Sequence, residues 1–575
     1  MYNSALVLKK NVYTADFETT ALPNLQVDGY VRVVLWSLVN VETKQSYYGF
    51  DIGSFLTKLI QVKAKIVYFH NLKFDGNFIV YYFLKNNIGF ELIAPQNIWY
   101  AIKWNGIEIR DSLKKFRTSV KHLGQMFDIG QKYSDKDESG LNLWDYYVPQ
   151  DFVPSPKDIE YCIQDSKIVA FAVEKEWDAG RHRLTQSSEA YYNCKKNLPN
   201  FNQFFPKISS IFDNFFRDGP YRGGVCAVNE LYQNQELEGI YGYDVNGLYG
   251  YVMDETLLPF GMPYYGEPIS QNDLYVVDFE CEFEVKKNMF PFLQIKRNLQ
   301  YLNRDTEYLK ESDGPTHLRL TSVDYELFKK HYYVYNENGN EYMSVQAMKG
   351  LLHPIIQENI RQKEYYSKGA HYNPYLRSVA KYNTNMLYGS FALSTISDKC
   401  KPFIGGDGAV KIEHEKGEKD GRYIPYATFV TANARKITIT AIQENYSNWI
   451  YSDTDSMYLL KPARGIKIDP KKSGYWKYET YGEFVDGWDG EPFPKGKFLR
   501  PKTYCLADEN RTIYKKYYPD GSFESELRCA GMPDTIKESV KWDDFHIGAV
   551  FEGKLLPRTV PGGVCLIPTT YQIMS

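Results

Sequence analysis

Apolar and polar positions mark out the elements of this chain before anything else is considered. Val12-Tyr13-Thr14-Ala15-Asp16-Phe17-Glu18-Thr19-Thr20 reads as a strand. Side chains two apart on a strand share a face, so Asp16 and Glu18 point the same way. Ile66 to Phe69 is a second apolar strand, running into a polar turn with His70, Asn71 and Asp75. The bland reading of Asp75 is a cap on the segment from Asn77 to Phe83. Asp111-Ser112-Leu113-Lys114-Lys115-Phe116 reads as an amphipathic turn with a solvated lysine pair, and 128–155 as an ordered polar loop. Ser155 and Pro156 suit the N-cap and first residue of a helix. On it Tyr161 and Asp165, four apart, are neighbours on one face.

The second half is patterned differently. Arg181 to Phe216 is a polar, helix-prone connector, followed by Tyr221-Arg222-Gly223-Gly224, where two glycines permit close backbone approach. An apolar lead precedes Asp244, and a glycine-bearing turn with Asn246 and Gly247 follows. Residues 294–352 read as an inserted subdomain and 393–425 as a second insertion, a β-ribbon. Between them one helix opens at Pro354 and closes at Gly369. Another opens at Asn373-Pro374 and closes at Gly389. On the second, Arg377, Lys381, Asn385 and Tyr388 recur at steps of four, four and three, giving one face two cations, an amide and a phenol. Phe429 to Asn445, with Arg435 inside it, is helical again. Trp449 and Ile450 before, and Met457 to Leu460 after, make Tyr451-Ser452-Asp453-Thr454-Asp455-Ser456 a strand, tight turn and strand. Residues 495–504 interleave Lys495, Lys497, Arg500 and Lys502 with Phe498 and Tyr504, and 528–575 form a small final unit.

Length and composition narrow the class. At 575 residues the chain exceeds one core, so three or four domains are expected. Charged residues are 24% and hydrophobic ones 43%, as in an ordinary globular enzyme. The net charge of −3 excludes a uniformly basic protein, so any nucleic-acid surface must be local. Fifty tyrosines suit base stacking and core packing alike. Eight scattered cysteines without Cys-x-x-Cys indicate neither a disulfide framework nor a zinc module, and fit a reducing cytoplasm. No apolar run approaches the ~18 residues of a membrane span, and the N-terminus lacks a signal-peptide core.

Each acidic stretch alone has an ordinary explanation. Asp-x-Asp builds turns, a lone histidine is usually structural, and a cationic helix stripe is usually solvated. Together they fall into two sets. Asp16, Glu18, Asp75 and Asp165, with Tyr161, are four carboxylates and a phenol without matching bases. Such a set is tolerable around divalent ions that prepare a water and steady the leaving oxygen of a phosphodiester. Asp244, Asp453 and Asp455 form a second set, and the cationic helix stripe carries an aromatic, as a triphosphate and base would require. Hard oxygen ligands favour Mg²⁺.

These stretches resemble, in order and spacing, the protein-primed branch of family B DNA polymerases, the bacteriophage phi-29 type. Asp16-Phe17-Glu18, His70 to Gly76 and Tyr161-x-x-x-Asp165 look like its exonuclease motifs. Tyr221 to Gly224 looks like its linker motif, and Asp244 to Tyr249, Lys381 to Gly389, Tyr451 to Ser456 and Lys502-Thr503-Tyr504 like its polymerase motifs. The resemblance implies an α/β multidomain fold: an RNase H-like 3′–5′ exonuclease domain at 1–185 and a right-hand polymerase with two insertions. The palm would take 186–293 and 426–527, the insertions 294–352 and 393–425, the fingers 353–392 and the thumb 528–575.

By the same resemblance Asp244, the carbonyl of Val245 and Asp455 hold two Mg²⁺ ions, with Asp453 in support and Mn²⁺ able to substitute. Lys381 and Arg377 grip the triphosphate, Tyr249 lies under the sugar, and Asn385 and Tyr388 line the nascent pair. Lys502 and Tyr504 hold the primer strand, and Arg500, Tyr221, Gly223 and Gly224 also contact DNA. In the exonuclease Asp16, Glu18, Asp75 and Asp165 bind metal, with Asp135 a further metal candidate, and Tyr161 positions the water. His70, Asn71, Phe74, Ser112, Leu113 and Phe116 meet the frayed primer end, and Lys132 and Asp135 are candidates for the family's loop lysine and acid. Implied partners are template and primer DNA, dNTPs and a terminal protein as primer. The expected state is a monomer in the host cytoplasm. Gly247, Gly250 and Met386 depart from the family's usual Ser, Pro and Ser without removing a ligand. Two other readings compete: a nuclease whose C-terminal part only binds DNA, and a non-enzymatic single-strand scaffold. Intact Asp244, Lys381 and Asp455 argue against the first, and primer extension separates all three.

Overall fold

The computed structural model describes residues 7–21, 30–127, 129, 148–294, 308–367, 369–479, 491–517 and 523–574. Lys132 and Asp135 lie outside them. The N-terminal region is built on a seven-stranded sheet: β1 (Val12–Thr19), β2 (Val33–Asn40), β3 (Ser46–Gly49), β4 (Ile66–Phe69), β5 (Glu91–Ile93), β6 (Ala101–Trp104) and β7 (Ile107–Asp111). Its order is β3-β2-β1-β4-β7-β6-β5. β1 pairs antiparallel with β2 and parallel with β4, so it is central, and β2 is buried at every position.

The helix Pro156–Asp178 crosses this sheet. A capping box starts it: Ser155 accepts from the Asp158 amide, and the Asp158 carboxylate accepts from Ser155. Two buried hydroxyls fix its position. Thr14 Oγ1 donates to the Ser166 carbonyl at 2.8 Å, and Ser37 Oγ to that of Cys162 at 2.9 Å. Tyr161 and Asp165 thereby face the acids of β1.

Two sequence expectations change here. Asp75 caps nothing, because the helix starts at Leu72 and runs to Lys85 with Asp75 already inside it. Asn71, at φ +74°, turns the chain from β4 straight into the helix, so no separate loop is needed. Lys115 is not solvated. Its ammonium is buried, 3.0 Å from both Glu176 and Glu189.

The C-terminal region is organised on an eight-stranded sheet. Along it lie Leu527–Cys529, Thr503–Ala507, Phe493–Arg500, Glu236–Val245, Ser456–Leu459, Trp449–Asp453 and Cys226–Val228, with Trp476–Glu479 also pairing with Glu236–Val245. The buried helix Ile424–Glu444 packs against it. A four-stranded sheet in the order Tyr264–Tyr265, Tyr332–Val345, Leu274–Val285 and Thr316–Thr321 spans the 293/294 boundary drawn from sequence. Pairing of Leu527–Cys529 with Thr503–Ala507 likewise crosses 527/528.

Helices His353–Tyr365 and Pro374–Phe391 pack against each other, and the second also packs against Ile424–Glu444. The second does not stop at Gly389. Phe391 is fully buried against Phe205 and Tyr426, and that anchor carries the helix two residues further. Ile396–Ile404 and Val410–Glu418 form a two-stranded ribbon. The final hairpin, Val550–Val560 with Gly563–Gln572, folds back onto the N-terminal region, where Val31 N donates to Pro561 O at 2.9 Å. Its turn needs glycine twice. A Cβ on Gly562 (φ +93°) would meet the Val31 carbonyl oxygen at 1.9 Å, and one on Gly563 would meet the Phe78 ring at 2.4 Å.

Candidate active sites

The strand Glu236–Val245 and the hairpin Trp449–Leu459 meet in register with Ser456 opposite Asp244, and Val245 N donates to Asp455 O at 2.8 Å. The far-separated acids therefore converge. Thr454 takes the turn at φ +62°, its amide donates to the Val225 carbonyl, and its own carbonyl accepts from Thr438 Oγ1 at 2.7 Å. Gly224 lies so close that a Cβ there would stand 3.0 Å from Thr454 Cα. The 221–224 segment thus braces the acidic turn. Arg435 holds that segment, donating to the carbonyls of Arg222 and Gly223 while paired with buried Asp324 at 2.6 Å.

Charge at this site is unbalanced in an informative way. Burial, and then the neighbouring Asp244, push the Asp455 carboxyl up to about 7. Lys477 on Trp476–Glu479 approaches Asp244 Oδ2 at 2.7 Å, and Lys502 grips both Asp453 oxygens at 2.7 and 2.8 Å. A cavity of about 940 Å³ opens here. Asp244, Val245, Asp453 and Asp455 line one side, and Lys363, Arg377, Lys381, Asn385 and Tyr388 the other. Tyr504 and Lys502 also line it, whereas Arg500, at the end of Phe493–Arg500, does not. Tyr249 stacks on Tyr388 with centroids 4.2 Å apart, and burial raises both phenols, keeping them protonated. Gly250 lets its helix approach the cationic one, since a Cβ there would stand 3.1 Å from Thr384 Cγ2.

The second site is a cavity of about 310 Å³ over β1. Its lining includes Asp16, Glu18, His70, Asn71, Phe74, Asp75, Tyr161 and Asp165, and Leu566 from the final hairpin. Burial, and then Asp16, hold the Asp75 carboxyl well above the usual carboxylate range. Cys162 adds a thiol within 4.8 Å of the Asp16 and Glu18 oxygens. His70 is tied to Ser112 Oγ at 2.9 Å and the Thr118 carbonyl at 2.7 Å. Ser112 and Phe116 are buried, and neither they nor Leu113 are part of the cavity lining.

Several residues escaped the sequence reading. Lys363 and Lys477 sit in elements with no distinctive motif. Asp111 receives the amides of both Asn71 (3.0 Å) and Leu113 (2.9 Å), a role that only the fold reveals.

Two carboxylate-lined cavities in one chain, one of them also lined by a cationic helix, suit phosphoryl-transfer chemistry on divalent ions. The sequence signature of the family described as DNA polymerase type B, organellar and viral, matches residues 149–470, and the chain belongs to that family. It is similar to the DNA polymerase of Bacillus phage Nf, at 33% identity over 98% of this chain and 100% of that one. Similarity to the DNA polymerase of Bacillus phage phi29 is 32% over 98% and 99%. Phi29 DNA polymerase, solved with primer-template DNA and incoming nucleotide substrates, superposes with a TM-score of 0.83 at 31% identity, over 98% of this chain and 100% of that one. The protein is a replicative DNA-directed DNA polymerase homologous to the phi29-type, protein-primed enzymes, a family in which 3′–5′ exonuclease activity is typical.

Proposed function

We propose that the larger cavity adds dNTPs to a primer 3′-hydroxyl and that the smaller one removes mispaired 3′ ends. The observation that carries this is the pairing of Ser456 with Asp244, which brings the acids of two distant strands under the cationic helix. The donor set fits divalent ions. Asp244 and Asp455 are hard oxygen ligands at a place where burial already resists a second negative charge. With the Val245 carbonyl they would hold Mg²⁺, or Mn²⁺ in its place, and Asp16, Glu18, Asp75 and Asp165 would do so in the exonuclease. Magnesium, when bound, lowers the pKa of the attacking hydroxyl or water and neutralises the departing oxygen.

The chain's own residues supply the rest. Lys381, Arg377 and Lys363 balance the triphosphate charge, and burial and neighbouring cations lower the Lys363 ammonium, so an anion is favoured there. The stacked Tyr249 and Tyr388 give a flat, rigid floor for sugar and base, with Asn385 beside them. Lys502 and Tyr504 hold the primer, and releasing Asp453 frees the Lys502 ammonium for phosphate. Tyr161 orients the hydrolytic water. Template and primer DNA, dNTPs and a terminal protein that provides the priming hydroxyl are the partners, in a monomer acting in the host cytoplasm. Insertions 294–352 and 393–425 serve the terminal protein and processive strand displacement. No helix among the described residues is long and apolar enough to cross a membrane.

Replication of a linear template with and without the cognate terminal protein tests the priming. Full-length product only when that protein is present is expected. Equal product without it, from the same unprimed template, contradicts the reading.

A further inference from the structure

One face of the ribbon Ile396–Ile404/Val410–Glu418 carries a set of groups that line neither acidic cavity. Asp398 and Cys400 are two apart on one strand, and His414 is directly opposite Cys400 on the other. All three project from the same face. Their ligand atoms lie within 4.8 Å of one another. His414 Nδ1 is 2.8 Å from Asp398 Oδ1, and the other carboxylate oxygen accepts from the Gln96 amide at 2.7 Å. The face is turned toward the N-terminal region, where Cys400, Val410 and Ile412 meet the apolar cluster containing Phe78 and Phe83. The Asp398 side chain is only 8% exposed and His414 29%.

We infer that Asp398, Cys400 and His414 bind one zinc-class divalent ion, which fastens the ribbon to the 94–97 turn. Carboxylate, thiolate and imidazole on one rigid face are the donors zinc prefers, and its tetrahedral ligands lie about 3.3–3.8 Å apart. That spacing requires only small side-chain movements from the present arrangement. A water completes the shell. The Gln96 amide on Asp398 is the outer contact that orients a ligating carboxylate. Burial raises the Cys400 thiol and a hydrogen bond from the Ala94 backbone offsets part of that, so it is the ion's charge that draws off the thiol proton. Binding releases the Cys400 thiol proton and any proton on His414 to solvent, so the ion's charge is met by one carboxylate and one thiolate. The ion does no chemistry on DNA. It locks strand register in a ribbon whose outer face is charged and exposed, and ties that ribbon to the exonuclease side of the molecule.

The test is a titration of the full-length, metal-stripped protein with cobalt(II) alone, followed by absorption. Cobalt reports cysteinate ligation through its sulfur-to-metal charge-transfer band. One equivalent of cobalt giving that band, displaced by one equivalent of zinc and unaffected by millimolar magnesium, is expected. Cys400→Ala and His414→Ala should each abolish the band while circular dichroism and primer extension stay within twofold of the parent. Because Cys162 lies beside Asp16 and Glu18, Cys162→Ser is the necessary control, and it should keep the band. No band in the parent, or a band that survives Cys400→Ala, overturns the assignment. Should Cys400→Ala unfold, Asp398→Asn decides the matter: a weakening of at least tenfold supports the site, and unchanged affinity refutes it.

Discussion

Asp455 is the residue on which the chemistry turns. Its carboxyl is raised to about 7 by burial and by Asp244. Its unfolded counterpart titrates near the ordinary value of about 4. Between those values the unfolded chain binds fewer protons than the native one, so native stability falls as pH rises. Without divalent ions, the melting temperature should drop by roughly 2–5 °C between pH 5 and 8, and magnesium should restore it. Asp455→Asn should flatten that slope and melt higher than the parent at pH 8 in EDTA. Scanning calorimetry checks both, and an unchanged slope in the variant would show that another group is responsible.

Elements place these residues, and here the sequence was unevenly informative. The strand carrying Asp16 and Glu18, the helix carrying Tyr161 and Asp165 and the hairpin of Asp453 and Asp455 were legible because each pairs a periodic apolar pattern with a local cap or turn. The start of the Leu72–Lys85 helix was not, since a left-handed Asn71 replaces the expected turn. Nor was the end at Phe391, which tertiary burial extends past a glycine. Lys115 looked solvated because its acidic partners, Glu176 and Glu189, come from another part of the chain.

The same reasoning yields two variants. Arg435→Leu strands the Asp324 carboxylate in the core and should cost about 3–5 kcal/mol, measurable by urea denaturation. Gly224→Ala puts a Cβ 3.0 Å from Thr454 and should displace the acidic turn. Extension should fall roughly tenfold, while single-strand digestion is unchanged. Loss of both activities together would place the damage elsewhere.

Across the whole molecule, the two sites are joined rather than merely adjacent. Tyr375 of the cationic helix donates to Glu176 of the exonuclease helix, and Arg181 bridges Glu176 and Asn383. The final hairpin closes the other side, placing Leu566 at the exonuclease cavity. Gly563→Leu should lever that hairpin off Phe78, at a cost of about 1–3 kcal/mol, and expose residues 550–572 to limited proteolysis. An unaltered cleavage pattern would mean that the hairpin is held by other contacts.

Two separate clusters of acids, each requiring divalent ions, are the core of this account. Its most direct measurement is a paired assay of primer extension and single-strand digestion. Asp455→Ala should lose extension by at least ~100-fold and keep digestion within twofold. Asp16→Ala combined with Asp75→Ala should do the reverse. Extension that persists in Asp455→Ala, or the loss of both activities in either protein, would contradict it.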